Sequence, residues 1–374
     1  MNEQSLFISC AEHLEPLLLQ ELAQLGIEEG KQSFRGVFIP HSIENIYKVN
    51  YLSRIATRVF SPLAQFSCPH KDALYHEVKK IDWTLFLDET KTFAIDANIT
   101  HPQIRHSLFG AQVVKDAICD QLREKRNGLR PSIDVKNPDV QLNIYIQHQK
   151  AILSFDTSGA PLYKRGWKQE STEATLPETL AAAILMKSGY NGQDVLCDPF
   201  CGSGTFLIEA ACIATRTPAG YFREKWGFFH HPEFRKEEWD AFKSSWDQKR
   251  VPIPAHHIIG ADRDPRAIAL CKEYLKKTGF SKEVVLIHSP ITELTLPKAP
   301  SLIVTDPPFG KRLETNADLY KQFGQFLKKK CTAAPFAYLI CPSFSLVKST
   351  GCTILSEQPL YHGGLKIILF QVQI

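Results

Sequence analysis

The sequence predicts an α/β protein whose second half is a doubly wound, mostly parallel sheet and whose first half is a smaller α+β region. In the second half, short apolar runs alternate with segments of helical periodicity, the pattern of a parallel sheet covered by helices. One of those runs, residues 194–198, leads through a glycine loop into a helix, an arrangement in which the backbone approaches a ligand closely. In the first half, two strand–helix pairs follow one another within residues 6–50.

Length and composition are those of a globular protein with more than one domain. The chain has 374 residues, 44% hydrophobic and 22% charged, with a net charge of +4 that permits a phosphate-bearing partner without demanding one. No apolar run reaches the roughly 18–20 residues that cross a bilayer, and the first five residues lack the basic start of a secretory signal. Ten scattered cysteines without a Cys-x-x-Cys pair predict reduced thiols and no metal site. We therefore expect a cytoplasmic protein, either a monomer or a weak homodimer.

Residues 1–64 form the first predicted domain. Residues 6–9 and 34–39 have the apolar pattern of strands, and leucines recur at helical spacing over residues 12–25. A second helix is predicted over residues 42–50. Two strand–helix pairs in so short a segment predict a small ferredoxin-like α+β unit.

Residues 65–157 form the second predicted domain, and a basic cluster lies at the end of its main helix. That helix is predicted over residues 106–125, between strands at residues 93–98 and 140–147. Basic side chains at this end suit RNA phosphates, although they would also complement the helix dipole without any partner. The candidate RNA-binding residues of the cluster are Arg123, Arg126 and Arg130.

Residues 158–374 form the third predicted domain, and a turn-rich linker opens it. In this linker Lys164, Arg165 and Trp167 could face nucleic acid, or they could pack against either neighbouring domain. The next helix is predicted to begin at Thr175, a residue type that suits an N-cap.

The strand at residues 194–198 ends in Asp198 and runs into a glycine loop. The loop has only two of the three glycines of the dinucleotide fingerprint, so a pyrophosphate is not its first choice of ligand. An acid ahead of the glycines suits a cationic or hydroxyl-rich ligand. Asp262 ends the next strand and suits ribose hydroxyls; it lies 64 residues after Asp198. The spacing falls to 22, near that of a nucleotide-binding unit, once the 42 residues 216–257 are set aside as an insertion.

The insertion at residues 216–257 interleaves aromatic and basic residues. Its aromatic rings could stack on bases, but we expect most of them to form a small core of the insertion's own. The aromatic residues are Trp226, Phe228, Phe229, Trp239 and Trp246, and the basic ones Arg223, Lys225, Arg235 and Lys243.

The segment Asp306–Phe309 follows the apolar strand at residues 301–305, at a strand end where ligand sites lie in open α/β sheets. Pro307 and Pro308 fix φ twice and remove two N–H donors, so the local carbonyls stay free to accept hydrogen bonds. A carboxylate, rigid carbonyls and the Phe309 ring within four residues suit a flat base with an exocyclic amine. A plain turn is the alternative interpretation, since Asp before Pro often begins one.

Taken together and in this order, the glycine loop, Asp262 and the Asp306–Phe309 motif resemble a class I S-adenosylmethionine-dependent methyltransferase over about residues 165–374. The resemblance implies a Rossmann-like fold: a mostly parallel seven-stranded sheet with a terminal antiparallel strand. Residues 93–98, 130–138 and 142–146, with Lys115, resemble a THUMP domain, an RNA-binding module. This second resemblance adds Lys115 to the RNA-binding candidates.

The chain as a whole resembles bacterial guanine-N2 RNA methyltransferases of the kind that forms one half of a larger fused ribosomal RNA enzyme. This implies S-adenosyl-L-methionine as cofactor and RNA as partner, with ribosomal RNA favoured over transfer RNA. The implied catalytic residues are Asp306, Pro307, Pro308 and Phe309. The implied cofactor-binding residues are Thr175, Leu176, Pro177, Glu178, Asp198, Pro199, Phe200, Gly202, Gly204, Thr205, Asp262, Arg263, Ser289 and Pro290. Ser289 and Pro290 stand where such enzymes often have an acid that contacts the adenine, so a backbone group is the alternative contact.

The implied mechanism aligns an amine with the donor methyl. Asp306 and the Pro307 carbonyl would accept the two amine hydrogens while Phe309 holds the base flat. Adenine-N6 methylation uses the same kind of site, and Phe309 rather than Tyr, together with the RNA module, favours guanine. An RNA-binding assembly factor with a vestigial methyltransferase half is an alternative of another class; the retained Asp198, Asp262 and Asp306 argue against it.

Overall fold

A computed structural model describes residues 5–104, 106–168, 176–254, 256–308, 316–362 and 365–374. These described residues fall into two compact units. The first unit takes in the chain up to Cys10 together with Leu18–Leu162 and Arg223–Lys243. The second takes in Ala11–Leu17, Tyr163–Phe222 and Ser244–Ile374.

The N-terminal part of the chain supplies the eight strands of one mixed sheet. Its helices and strands, in chain order, are β1 (Ser5–Ser9), α1 (Glu15–Gln24), β2 (Lys31–Ser33), β3 (Gly36–Pro40), α2 (Ile43–Leu52), β4 (Arg58–Ser67), α3 (Lys71–Lys80), β5 (Thr92–Thr100), α4 (Ser107–Lys125), β6 (Ser132–Ile133), β7 (Val140–Gln147) and β8 (Lys150–Asp156). The strand order is β2-β3-β1-β4-β8-β7-β5-β6. Since β4 pairs antiparallel with both β1 and β8, the two predicted N-terminal domains share this one sheet.

Strand β4 and helix α3 are absent from the sequence-based prediction. The alternation of β4 is broken at Pro62, where the pairing with β8 shifts register before Ala64; a proline inside a strand weakens the pattern that predicts one. Helix α3 buries only Leu74 and Val78, one turn apart, so its apolar stripe is too short to stand out. The main helix α4 buries Val114, Ala117, Ile118, Leu122 and their neighbours, as its periodicity predicts.

The aromatic residues of the predicted insertion pack against helix α2. The ring of Trp239 lies 5.4 Å from that of Tyr47 and 5.3 Å from that of Tyr51, and the ring of Phe228 lies 5.2 Å from Tyr47. The rings also pack on one another, with Phe228 4.9 Å from Trp239 and 5.5 Å from Trp226, as the expected core requires. The core is not the insertion's own, however, because α2 supplies part of it. Aromatic content predicted burial correctly, but it carries no information about which helix supplies the other half of the core.

Arg223 shows that the basic residues of this segment also have internal roles. Its guanidinium donates hydrogen bonds to the carbonyls of Pro161 and Ser158, both at 2.9 Å, and lies 4.5 Å from the centre of the Trp226 ring. A buried guanidinium needs such acceptors, because its N–H groups lose water on folding. Arg223 thus holds residues 158–161 to the segment 223–243.

The C-terminal part of the chain supplies a seven-stranded sheet. Its helices and strands are α5 (Glu178–Lys187), β9 (Leu196–Asp198), α6 (Thr205–Ala214), α7 (Lys236–Asp247), β10 (Ile258–Asp262), α8 (Pro265–Thr278), β11 (Val284–His288), β12 (Leu302–Thr305), α9 (Asn316–Lys330), β13 (Phe336–Cys341), α10 (Phe344–Lys348), β14 (Thr353–His362) and β15 (Leu365–Gln373). The strand order is β11-β10-β9-β12-β13-β15-β14. Strands β9 to β13 are parallel and β15 runs antiparallel to both its neighbours, which confirms the predicted sheet.

None of the helices in the described parts of the chain is both long and apolar enough to cross a membrane.

The packing on α2 makes Phe228 a test of the fold. Its side chain is 0% exposed, so Phe228→Ala should lower the free energy of unfolding by about 3–5 kcal/mol. Phe34 is 72% exposed, and Phe34→Ala should change that free energy by less than about 0.5 kcal/mol. Urea denaturation of the two variants and the parent protein measures both. Equal stabilities for the two variants would contradict the packing.

Candidate functional site

Three acidic residues lie at the carboxyl ends of adjacent strands in the second sheet. Asp198 ends β9, Asp262 ends β10, and Asp306 follows β12. The chain passes from β9 outward to β10 and β11 and then returns to the other side of β9 with β12. Ligands bind at such a switch point in open α/β sheets, so the ends of β9 and β12 form the candidate site.

Asp198 ties the two central strands together. Its side chain is 2% exposed, and its Oδ1 accepts hydrogen bonds from the Thr305 hydroxyl at 2.6 Å and the Phe200 N–H at 3.1 Å. Burial raises the pKa of Asp198 to about 7; the two hydrogen bonds lower it, and the charges of Asp306 and Asp262 raise it further. The carboxylate therefore fixes the beginning of the glycine loop to β12.

Asp262 fixes the middle of the same loop. Its Oδ2 accepts a hydrogen bond from the Gly202 N–H at 2.9 Å, and its Oδ1 accepts one from the Asp264 N–H at 2.8 Å. Each carboxylate oxygen has a second lone pair, so Asp262 can still accept hydrogen bonds from ligand hydroxyls. The sequence predicted the acid and its position, but not that it also shapes the loop.

Gly204 closes the loop in a conformation that favours glycine. Its φ is +85°, in the left-handed region, and it stands immediately before α6. A Cβ atom at this position would overlap the Cys271 Sγ of helix α8. The loop and α8 therefore pack closely only because residue 204 has no side chain. The first N–H groups of α6, like those of any helix, have no partner within the helix and can bind a ligand.

The other predicted cofactor residues surround these strand ends. Pro199 and Thr205 are buried, Arg263 is exposed, and the ring of Phe200 lies 5.3 Å from that of Phe323. Beyond β11, the Ser289 N–H donates to the Asp262 carbonyl at 3.1 Å, and the Ser289 hydroxyl donates to the Pro290 carbonyl at 3.0 Å. Ser289 and Pro290 therefore lie directly beside the end of β10, where their contact with an adenine stays a prediction.

The start of helix α5 adds a buried acid to the site region. Pro177 is the N-cap of α5, preceded by the half-buried Leu176, and Glu178 is its first residue. Burial raises the pKa of Glu178, and the ammonium of Lys168, 3.5 Å away, lowers it. Lys168 also donates a hydrogen bond to the Thr205 hydroxyl at 3.2 Å. Sequence analysis did not single out Lys168, since no local pattern links a linker lysine to helix starts further along the chain.

Asp306 has a buried oxygen without a donor. No residue in the described parts of the chain donates a hydrogen bond to its Oδ1, although residue 306 as a whole is only half-buried. Burial raises the pKa of Asp306 to about 7. A buried acceptor without a partner costs about 1–3 kcal/mol, so this oxygen suits a ligand that brings an N–H or O–H.

The neighbours of Asp306 complete what can be described of the motif. Pro307 is buried and Pro308 is exposed. Phe309, predicted to stack on a base, and Thr175, predicted to border the cofactor, lie outside the described residues. On the far side of β12, the Tyr320 hydroxyl donates to the Cys341 Sγ at 3.3 Å, and the charge of Asp306 helps raise the pKa of both groups.

Two predicted RNA-binding residues in the linker are buried. The Arg165 guanidinium is 2% exposed and donates from Nε to the Glu209 carboxylate at 3.2 Å. Trp167 is 3% exposed and packs edge-to-face on Tyr274, with 5.4 Å between ring centres. The prediction that these side chains contact RNA is wrong, because a buried ion pair and a core aromatic have no face for it. Lys164 is exposed, and its RNA contact stays a prediction.

Most of the predicted basic cluster is paired with acids. Ion pairs join Lys115 to Asp116 at 2.7 Å, Arg123 to Asp120 at 3.0 Å, and Arg126 to Glu89 at 3.3 Å. Arg130 is exposed. Surface ion pairs of this kind are worth at most about 1 kcal/mol, so they can exchange for a phosphate, and the role of these residues in RNA binding stays a prediction.

One group in the described chain has the residue types of a metal site. The donor atoms of His41, His231 and Glu233 lie within 4.8 Å of one another. The Glu233 N–H, however, donates to the His231 Nδ1 at 3.3 Å, so the proton of this buried neutral ring belongs on Nε2. Neither nitrogen of the His231 ring then offers a free lone pair, so we assign no metal to this group.

Comparison with known proteins identifies the family. Residues 165–353 match the family described as "RMKL-like, methyltransferase domain". The chain belongs to the RMKL-like methyltransferase family. This confirms the predicted class I methyltransferase and its cofactor, S-adenosylmethionine. Residues 70–156 match a THUMP domain and residues 5–60 an RlmL ferredoxin-like domain, as the N-terminal resemblances predicted.

Relatives and solved structures extend the likeness beyond the matched domains. The chain is 35% identical to Ribosomal RNA large subunit methyltransferase K/L of Syntrophotalea carbinolica, over 98% of this chain and 53% of that protein. It spans about half the length of the curated relatives it matches. A possible methylase from Clostridium difficile 630 has a similar structure, with 27% identity, a TM-score of 0.85 and coverage of 99% and 98% of the two chains. SMU.472, solved in complex with SAH, shares the fold, with 23% identity, a TM-score of 0.86 and coverage of 98% and 97%.

The raised pKa of Asp306 predicts how stability depends on pH. The pKa of Asp306 is about 7 in the folded protein and 3.8 ordinarily. The contribution of this carboxyl to the free energy of unfolding is therefore fully present below pH 3.8 and is lost as the pH rises through 7. Asp306→Asn removes the charge, so its melting temperature should gain on that of the parent as the pH rises from 5 to 8, and the two should match only below about pH 3.8. Each kcal/mol recovered should raise the melting temperature by about 2–4 °C.

Differential scanning calorimetry at the two pH values measures this difference. Asp318→Asn, at an exposed carboxylate of α9, is the control and should show no such pH-dependent gain. A constant offset between Asp306→Asn and the parent at both pH values would contradict the raised pKa.

Proposed function

We propose that this chain transfers the methyl group of S-adenosylmethionine to the exocyclic N2 of a guanine in large-subunit ribosomal RNA. The observation that supports this most directly is the buried Asp306 Oδ1, which lacks a donor among the described residues and lies at the switch point of the sheet. A flat base with an exocyclic amine brings the hydrogen that this oxygen needs. The relatives named as ribosomal RNA large subunit methyltransferases support the choice of RNA.

The task of Asp306 and Pro307 is to turn the amine. The lone pair of a guanine amine is delocalised into the ring, which makes it a poor nucleophile. If the Asp306 carboxylate and the Pro307 carbonyl accept its two hydrogens, the lone pair turns out of the ring towards the methyl group. Phe309 would hold the base flat. Alignment of this kind can lower a barrier by about 7–11 kcal/mol.

Asp306 also has the acidity to manage the proton. When bound, S-adenosylmethionine supplies a methyl group on a positively charged sulfur, which keeps the electron pair of the broken carbon–sulfur bond. The new carbon–nitrogen bond leaves the amine with one proton too many. Because burial holds the pKa of Asp306 at about 7, its carboxylate can accept this proton near neutral pH and pass it to water.

The chain's own residues fit the cofactor in two places. The loop from Phe200 to Gly204, with the N–H groups at the start of α6, suits the methionine end of the cofactor, and Asp262 suits its ribose. Both depend on the hydrogen bonds that Asp262 and Asp198 make to the loop backbone. That both groups lie at the same strand ends as Asp306 supports a donor bound beside it.

RNA capture is proposed for the THUMP region, residues 70–156. The candidates for phosphate contact are Lys115, Arg123, Arg126 and Arg130 within this region and the exposed Lys164 after it. Ribosomal RNA is the favoured partner and transfer RNA the second. The target guanine must be single-stranded or flipped out of its stack to reach a strand-end site. We further propose a cytoplasmic location and a monomeric or weakly dimeric state.

The first test removes the carboxylate. Asp306→Ala should lower kcat for methyl transfer by about 10²–10³-fold, as for the loss of one preorganised hydrogen-bonding group, while calorimetric binding of S-adenosylhomocysteine stays close to that of the parent. Large-subunit ribosomal RNA from cells that lack the gene is the substrate, and mass spectrometry of its nucleosides is the measurement.

The parent should produce N2-methylguanosine, and the exposed-site variant Asp318→Ala should retain its activity. Full activity in Asp306→Ala would contradict the mechanism. N6-methyladenosine as the product would show that the target base is adenine rather than guanine.

The second test varies the pH. An ionised Asp306 is needed both to accept the amine hydrogen and to take the proton, so single-turnover rates should rise as the pH increases through about 7, the pKa of this carboxyl, and level off above it. Asp306→Asn should show a low rate without that rise. A parent rate that is flat between pH 6 and 8 would contradict this role.

A further inference from the structure

Four charged side chains form a buried cluster behind the glycine loop, and the proposed mechanism does not use them. Two are Arg165 and Glu209, which are 3.2 Å apart and each have a side chain 2% exposed. The other two are Lys168 and Glu178, which are 3.5 Å apart, with side chains 11% and 5% exposed. Buried ion pairs rarely add stability compared with apolar side chains of similar volume, so their presence here calls for another explanation.

Lys168 connects three separate segments of the chain. It belongs to the linker, while Glu178 is the first residue of α5 and Thr205 is the first residue of α6. Its ammonium contacts the Glu178 carboxylate and donates to the Thr205 hydroxyl at 3.2 Å. One side chain thus bridges the starts of two helices.

The position of Thr205 gives this bridge a bearing on the donor site. Thr205 directly follows Gly204, whose left-handed conformation ends the glycine loop. The first N–H groups of a helix have no partner within the helix and point along its axis towards a ligand. A shift of Thr205 would move those N–H groups and the loop together.

Lys168 also opposes the effect of burial on the pKa of Glu178. Burial is the largest influence on the Glu178 carboxyl and raises its pKa, and the charge of Lys168 is the largest influence that lowers it. Without the ammonium, the Glu178 carboxylate would lose the nearby charge that lowers its pKa and would remain buried without its ion-pair partner. Loss of the ammonium would therefore remove the link between the start of α5 and the start of α6.

We propose that Lys168 is a positioning residue for the methyl donor: its ammonium, shared between Glu178 and Thr205, holds the start of α6 and the glycine loop in the shape that binds the methionine end of S-adenosylmethionine. This deepens the proposed function and rests on it. Lys168 acts through Thr205 and the loop backbone, so it sets donor affinity rather than the rate of the chemical step.

The test compares Lys168→Met with Lys168→Arg and with Lys272→Met. Lys272 is an exposed lysine of α8 in the same unit and controls for the loss of a charge. Lys168→Met should weaken calorimetric binding of S-adenosylhomocysteine by about tenfold, the worth of a charge-assisted hydrogen bond, and raise the KM for S-adenosylmethionine by the same factor with kcat nearly unchanged. Lys168→Arg should restore most of the affinity, and Lys272→Met should not alter it.

Coupling to Glu178 gives a second readout that does not depend on Lys168→Met alone. Glu178→Gln should weaken binding by itself, and adding it to Lys168→Met should weaken binding little further, because the two act as one unit. If Lys168→Met lowers the melting temperature but leaves donor affinity and KM unchanged, the bridge is only structural and the inference is overturned. Additive effects of the two substitutions would also overturn it.

Binding of S-adenosylhomocysteine needs neither RNA nor catalysis, which separates this inference from the proposed function. A parent that binds S-adenosylhomocysteine but methylates no guanine would contradict the proposed substrate and leave the Lys168 measurement decisive. A parent that does not bind S-adenosylhomocysteine would contradict both.

Discussion

The burial of two carboxyl groups at neighbouring strand ends is the constraint on which the rest of the site depends. Asp198 ends β9 and Asp306 follows β12, and burial raises the pKa of each to about 7. No cation in the described parts of the chain contributes to the pKa shift of either group. Asp198 is compensated by two internal hydrogen bonds, whereas one oxygen of Asp306 is not. Asp198 therefore has a structural role, and the unpartnered oxygen of Asp306 supports its proposed contact with the substrate.

The surrounding elements follow from that arrangement. The Thr305 hydroxyl, on the strand that leads to Asp306, is the group that holds Asp198, so the two acids are set by one short stretch of β12. The Asp262 carboxylate accepts a hydrogen bond from the Gly202 N–H and so positions the glycine loop that follows β9. The three acids therefore lie together at the switch point because the parallel strands β9, β10 and β12 end there.

The sequence predicts the parts of this fold that are governed by local periodicity. Strand β7 has its predicted bounds, and strands β9 and β12 lie within the apolar runs predicted as strands at residues 194–198 and 301–305. The site motifs were equally accessible, since an acid directly after such a run must lie at the edge of the sheet. Strand β4 was not, because Pro62 and the shift in register beside it break the pattern.

What the sequence could not predict are the partners of side chains that meet over long distances along the chain. Arg165 and Trp167 are residue types that suit an RNA-binding linker. The acid that pairs with the buried Arg165, however, lies 44 residues further along the chain. The aromatic residues around Trp239 indicated a core, but Tyr47 and Tyr51, which complete it, come from helix α2 near the start of the chain. Charge and aromaticity predict that a residue has a partner; packing decides which one.

The most direct measurement of the central claim is a crystal structure of the protein with S-adenosylhomocysteine and a guanine-containing RNA fragment. The account predicts that the exocyclic nitrogen of the guanine lies about 2.7–3.2 Å from the Asp306 Oδ1. The lone pair of that nitrogen should face the sulfur atom of S-adenosylhomocysteine. A complex in which that oxygen faces a protein donor or solvent, and the amine is bound elsewhere, would contradict it.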